Sequence, residues 1–206
     1  METDGPCIAL VPARDFRTGK SRLAPALTPE ERDGLGRWML ERVLASLGEA
    51  PSVTETAVLS DADEILAIAE EHGAHGRRCP ARDMNADLEA GRAWAAARGA
   101  ASLLVVPADL PALDGAQVEE MIRRGGPNRA VLAPSGDGGT NGLLLRPPGA
   151  FPFAFGPGSY ARHTAAAAAA GLEAVRFESP GFRLDVDTPA DLAACREAGL
   201  SVPARP

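Results

Sequence analysis

Short apolar runs alternate with helix-period patterns along almost the whole chain. Cys7 to Val11 is a continuous apolar run and predicts a first strand. Thr28-Pro29-Glu30-Glu31 then opens a helix, with Thr28 as N-cap, Pro29 at the first helical position and Glu31 completing a capping box. Leu35, Met39, Val43 and Leu47 recur every four residues and mark its buried stripe. Ala57 to Leu59 predicts a second strand, and Asp61 to Glu71 a second helix that ends near Gly73. After a short loop, Asn85 to Arg98 is helical. Ser102 to Val106 is almost wholly apolar, as a central parallel strand covered on both faces should be.

The same pattern continues past this strand and turns less regular from Phe151. Asp114 to Arg124 predicts a helix, and Ala130 to Ala133 and Gly142 to Leu145 predict strands. Phe151 to Ser159 is rich in Phe, Pro and Gly and reads as a loop, followed by an alanine-rich helix from about Tyr160. Arg183 to Val186 predicts a short strand, and Thr188-Pro189-Ala190-Asp191 opens a last helix with the same capping logic as the first. No internal repeat, linker or domain break interrupts the pattern. The sum is a single α/β domain over residues 1–206, its core at about 7–199, with a mainly parallel sheet and helices on both faces. Ligands of such sheets sit beyond the carboxyl ends of the strands, so residues directly after strands carry the chemical interest.

Composition narrows the picture. Of 206 residues, 45% are hydrophobic but only 4% aromatic, so the core is built from Ala, Val and Leu. A net charge of −7 argues against a nucleic-acid partner or an anionic membrane surface. It leaves room for a small phosphorylated ligand, for which a few placed cations suffice. Cys7, Cys79 and Cys195 are odd in number and far apart, which fits neither a disulfide framework nor a zinc site. With no secretory signal and no apolar stretch near 20 residues, the expectation is a cytoplasmic protein with no membrane contact.

Four segments follow strands and carry chemistry. Pro12 to Leu23 (PARDFRTGKSRL) places Arg14, Arg17, Lys20 and Arg22 in one loop, a possible cradle for a triphosphate or else a solvated basic loop. Gly19-Lys20-Ser21 is not a P-loop, because Arg14 stands where the first glycine is needed and Pro25 interrupts the helix. Asp109, in Ala108-Asp109-Leu110-Pro111, is placed to hold Mg²⁺ against phosphates or to cap the turn. Asp185 and Asp187, two apart on the predicted strand, could share one metal site, or Asp187 could serve the start of the helix at Thr188. The loops Gly136–Gly142 (GDGGTNG) and Phe155–His163 (FGPGSYARH) offer backbone N–H groups with Thr140, Ser159 and Arg162 to a carboxylate or phosphate, unless they are simple turns. His72 and His75 are expected to face solvent, and His163 to be structural.

The order PARDFRTGKSRL, DMNADLEAG, VVPADLPAL, GGTNGLLLRP, FGPGSYARH and LDVDTPADL resembles the guanylyltransferases of deazaflavin coenzyme F(420) biosynthesis, from about Cys7 to Gly199. The resemblance implies a nucleotidyltransferase fold of the glycosyltransferase-A-like type. It implies Mg²⁺ on Asp109, Asp185 and Asp187, and GTP phosphates met by Lys20 and Arg22 in a nucleotide site that includes Arg14, Ser21 and Asn85. It implies catalytic roles for Lys20, Arg22 and Asp109. The acceptor acid falls to Thr140, Gly156, Ser159 and Arg162. The implied reaction moves GMP from GTP to phosphoenolpyruvate, 2-phospho-L-lactate or 3-phosphoglycerate with release of pyrophosphate. The product could pass to the next enzyme of the pathway. Alternatives are another acceptor, such as molybdopterin or a sugar phosphate, or a non-catalytic nucleotide-binding protein of the same fold. The L-x-G-G-x-S/G-x-R loop of the former is absent, Val11-Pro12-Ala13-Arg14 standing in its place.

Overall fold

A computed structural model describes residues 5–16, 20–79 and 83–203. Arg17, Thr18 and Gly19 of the basic loop lie outside the described residues. Seven strands form one sheet: β1 (Cys7–Pro12), β2 (Val53–Ser60), β3 (His75–Arg78), β4 (Ser102–Val105), β5 (Arg129–Pro134), β6 (Thr140–Arg146) and β7 (Glu173–Arg176). Their spatial order is β3-β2-β1-β4-β6-β5-β7. Every pairing is parallel except those of β6, which runs antiparallel to both β4 and β5. The start of β6, at Thr140, therefore lies at the same edge as the carboxyl ends of β1, β4 and β5.

The helices are α1 (Pro29–Gly48), α2 (Asp63–Glu71), α3 (Met84–Ala97), α4 (Gly115–Arg124), α5 (Ser159–Ala169), α6 (Pro180–Arg183) and α7 (Pro189–Glu197), with a single 3-10 turn at Ser21–Leu23. Alternation along β1 sorts them. Ala9 and Val11 pack with Leu40, Val43 and Leu47 of α1, Ile65 of α2, Met121 of α4 and Phe182 of α6. Ile8 and Leu10 pack on the other face with Leu88 of α3, Ala167 of α5 and the rings of Phe151, Phe153 and Phe155. Residues Ile8 to Val11 are fully buried, as the apolar run requires. A third cluster, Leu23, Leu35, Met39, Val186, Leu192 and Cys195, seats α7 beside the 3-10 turn.

The N-terminal caps form as the sequence dictates. Thr28 with Glu31 and Thr188 with Asp191 both close full capping boxes. The predicted strand at Arg183–Val186 does not form. Ser179 caps a short helix at Pro180 by accepting from the Phe182 N–H, and that helix takes up Arg183. In the following segment Val186 donates its N–H to the Asp109 carbonyl at 3.2 Å and buries its side chain in the third cluster. The alternation Leu-Asp-Val-Asp thus reflects one buried valine between two polar neighbours, with no ladder to make it a strand. Conversely, β3 and β7, at the two edges of the sheet, were not expected. Edge strands lack the apolar runs of a doubly covered strand, and His75-Gly76-Arg77-Arg78 has none.

The position of α6 depends on Gly142. A methyl group there would lie 2.7–2.8 Å from the Phe182 ring, and Phe182 is buried. Gly142→Ala should therefore lower unfolding free energy by about 1–3 kcal/mol, the usual penalty of overpacking. Denaturant titration measures this, and an unchanged midpoint would show that the ring yields freely.

Candidate active site

Three segments far apart in sequence meet at the carboxyl edge. Asp109 leaves β4 in the turn before α4, Asp187 precedes α7, and Lys20 precedes the 3-10 turn. The Lys20 ammonium donates to Asp109 Oδ2, and to Asp187 Oδ1 at 2.6 Å. Its side chain is 17% exposed, against 25% for Asp109 and 40% for Asp187. Burial works against the Lys20 charge, but the two carboxylates outweigh it and raise its pKa. Lys20 also has a left-handed backbone, φ 52° and ψ 39°, a strained state for a side-chain-bearing residue that survives where surrounding contacts over-determine it. Arg22, largely exposed, brings Nη1 to 3.9 Å from Asp187 Oδ2.

Asp185 stands beside this pair. Its Oδ1 accepts from Asn141 Nδ2 at 3.1 Å, and the same amide donates to the Phe182 carbonyl at 2.9 Å. Burial raises the Asp185 pKa, the Asn141 bond opposes this, and the charges of Asp109 and Asp187 raise it further. Three carboxylates therefore share one field, with Lys20 as the cation between two of them. No three-residue arrangement of His, Cys, Asp or Glu close enough to hold a metal occurs among the described residues.

A cleft of about 270 Å³ runs from Asp109, Asp187 and Lys20 past Phe16 and Pro107 to Arg14 and Met84. Its walls are mainly apolar with a few charged groups among them, the usual design of a small-molecule site. Two larger hollows, of about 530 and 570 Å³, lie against α1 and around Pro25. None of Lys20, Arg22, Asp109, Asp185 and Asp187 lines either of them, and convergent chemistry outweighs volume. Ser21 is exposed at the start of the 3-10 turn.

The glycine loops form a second polar centre. Gly156 and Gly158 take φ of 121° and 69°, conformations that a side chain would oppose. Thr140 Oγ1 lies 2.9 Å from Ser159 Oγ and 3.1 Å from His163 Nδ1, while His163 Nε2 accepts the Ala154 N–H at 3.0 Å. All three side chains are buried. Burial first, and then the charge of Arg162, depress the His163 pKa from 6.5 to about 4. The loop is clamped from two sides. Asn85 accepts from the Phe155 N–H at 2.7 Å and donates to its carbonyl at 3.2 Å. Arg162 donates to the carbonyls of Ala154 and Pro157.

Of the candidate residues, Lys20, Asp109, Asp187 and Asp185 converge, with Arg22 at their rim. The candidates Thr140 and Ser159 meet each other. Asn85 and Arg162 are occupied in holding the Phe155–Ser159 loop, and Asp185 and Asp187 owe their place to α6 and α7 because no strand carries them. Asn141 was missed, although it is adjacent to Thr140 on β6 and so faces the opposite side of the sheet. His72 is exposed as expected, while His75 is half-buried and pairs with Glu55 at 3.0 Å.

Known proteins resemble this chain over nearly its whole length. The profile of the family described as guanylyl transferase CofC like matches residues 7–197. A phosphoenolpyruvate guanylyltransferase from Rubrobacter xylanophilus is 42% identical over 193 residues, 93% of this chain and 94% of its own. A 2-phospho-L-lactate guanylyltransferase from Methanothermobacter thermautotrophicus is 33% identical, covering 89% of this chain and 81% of its own. Among solved structures, a nucleotidyl transferase from the same organism superposes with a TM-score of 0.67 at 16% identity, covering 94% and 97% of the two chains. The fold is that of nucleotidyltransferases of the glycosyltransferase-A-like type.

The His163 shift makes stability depend on pH. Its pKa is about 6.5 unfolded and about 4 folded, so the folded state favours the neutral ring. That contribution is complete above about pH 6.5 and is lost as pH falls through this range, on the order of 3 kcal/mol by pH 4. Comparing unfolding free energies of wild type and His163→Asn from pH 7 to 4 should show the gap closing by this amount. A constant gap would mean that the ring is not held neutral.

Proposed function

Because this chain belongs to the guanylyl transferase CofC-like family, we propose that it binds GTP and Mg²⁺ at the Lys20–Asp109–Asp187 edge and transfers GMP to phosphoenolpyruvate in coenzyme F(420) biosynthesis. The observation that carries the site assignment is the convergence of two carboxylates on one cation, with a third carboxylate and Arg22 alongside. Carboxylate oxygens suit Mg²⁺, which favours one or two of them together with substrate phosphate oxygens. Asp109 would hold the ion with Asp185 or Asp187, and the ion would supply charge neutralisation to the phosphates. Lys20 and Arg22 supply the protein's own positive charge there, and the cleft toward Arg14 and Met84 takes the nucleoside.

In the proposed reaction a phosphate oxygen of the acceptor attacks the α-phosphorus of GTP, the bond to the bridging oxygen breaks, and pyrophosphate leaves. A phosphate monoester has a second pKa of about 6, so the nucleophile is already charged at neutral pH and needs no general base. The work of the chain is orientation and neutralisation. The Thr140–Ser159 centre takes the carboxylate end of the acceptor, which the name of the 42%-identical relative supports as phosphoenolpyruvate. The three cysteines are free and buried, which supports a reducing cytoplasmic setting. No helix among the described residues is long and apolar enough to cross a membrane.

Purified protein with GTP and Mg²⁺ should release pyrophosphate with phosphoenolpyruvate in preference to 2-phospho-L-lactate or 3-phosphoglycerate. The assay is run alone and coupled to the next enzyme, so that a short-lived product is not missed. Preference for another of the acids would reassign the acceptor, and silence with all three would remove the reading. Asp109→Asn and Asp185→Asn should each reduce turnover by about a hundredfold or more with circular dichroism unchanged. Normal turnover would exclude that carboxylate from the site.

A further inference from the structure

We propose that His163 is a positioning residue that turns the Thr140–Ser159 hydroxyl pair into a hydrogen-bond donor for an anionic oxygen of the acceptor acid. The inference rests on the reading that this pair meets the acceptor, and it follows from a count of hydrogens. His163 Nε2 accepts the Ala154 backbone N–H at 3.0 Å. A backbone amide can only donate, so Nε2 carries no hydrogen and the neutral ring carries its hydrogen on Nδ1. Nδ1–H must then donate to Thr140 Oγ1 at 3.1 Å. The two hydroxyls hold two hydrogens, and their mutual contact at 2.9 Å uses one. One hydrogen is left over for a guest.

The opposite tautomer reverses the outcome. With the lone pair on Nδ1, Thr140 would donate to the ring, Ser159 would donate to Thr140, and the guest would meet only lone pairs. A carboxylate or phosphate oxygen would then be repelled. The Ala154 amide, fixed by the same loop that Asn85 and Arg162 clamp, thus decides the sign of a site two hydrogen bonds away. Fixing a histidine tautomer through the bond made by its other nitrogen is a general device. Arg162 is the charged group acting on the ring, and together with burial it keeps the ring neutral at physiological pH. The rings of Phe151 and Phe155 lie against it, the first tilted and the second edge-on, and offer no competing acceptor.

The test combines two measurements on the full chain. Long-range ¹H–¹⁵N correlation spectra of protein labelled in histidine should show His163 protonated at Nδ1 alone, both free and with phosphoenolpyruvate present. A hydrogen on Nε2 overturns the proposal, whatever the acceptor. A double-mutant cycle then asks whether His163 acts through the hydroxyls. Ser159→Ala should raise the KM for phosphoenolpyruvate about tenfold or more, the effect of losing a hydrogen bond to a charged group, with the KM for GTP unchanged. His163→Leu removes the Nδ1–H donor that orients Thr140 Oγ1 and should raise the same KM severalfold in the wild-type background but add little to Ser159→Ala. His163→Asn, whose amide nitrogen can stand at the Nδ1 position, should recover part of the loss. Equal effects of His163→Leu in both backgrounds would reduce the residue to packing and overturn the proposal. No effect of Ser159→Ala on the acceptor KM would instead remove the reading beneath it. If His163→Leu does not fold, His163→Phe, which keeps a ring and carries no donor, takes its place in the same cycle.

Discussion

Three carboxylates at one edge of a sheet repel one another, and that repulsion organises this molecule. Asp109, Asp185 and Asp187 come from two segments held together by the Val186–Asp109 backbone bond, and the charges of Asp109 and Asp187 raise the cost of ionising Asp185. The Lys20 ammonium, shared between Asp109 and Asp187, relieves part of this. It also draws the chain after β1 into a left-handed turn that such a residue would not adopt unaided. The pairing is partly exposed, so its worth in stability is modest. In the proposed reaction the same field would receive the divalent ion and the nucleotide phosphates.

Around that charge the scaffold is rigid for simple reasons. β1 and β4 are buried on both faces and fix the strand ends from which the basic loop and Asp109 depart. Reversal at β6 places Thr140 at the same edge, so a strand that opposes the others still serves the site. On the far face the Phe155–Ser159 loop is pinned by Asn85 from α3 and by Arg162 from α5. Loop residues that look like ligands can thus be the fastenings that keep ligand-facing groups still.

This bears on what could be read from the chain. The central strands, the long helices and both capping boxes were legible, because apolar period and cap chemistry are local signals. Lys20 and the acidic residues were legible because strand ends in α/β sheets are privileged positions. The strands β3 and β7 were not, since edge strands need no apolar run, and the Leu184–Asp187 alternation imitated a strand without a partner to pair with. Asn85 was singled out by the resemblance and Arg162 by the glycine-rich loop around it, and neither signal shows that both side chains also hold the Phe155–Ser159 loop. Asn141 could have been found from β6 alone: a polar residue in a run of otherwise apolar core positions needs a partner on the opposite face from Thr140.

Thr140 and Asn141 are consecutive on one strand and so face opposite sides of the sheet, one toward His163, the other toward Asp185. A shift of β6 by a single residue against β4 and β5 would exchange hydroxyl for amide on both sides at once. Lengthening the turn at 135–139 leaves the pairing intact, whereas inserting one residue within β6 disables both polar centres together. Variation in length among functional versions of this sequence should therefore collect in that turn and be absent from the strand that follows it.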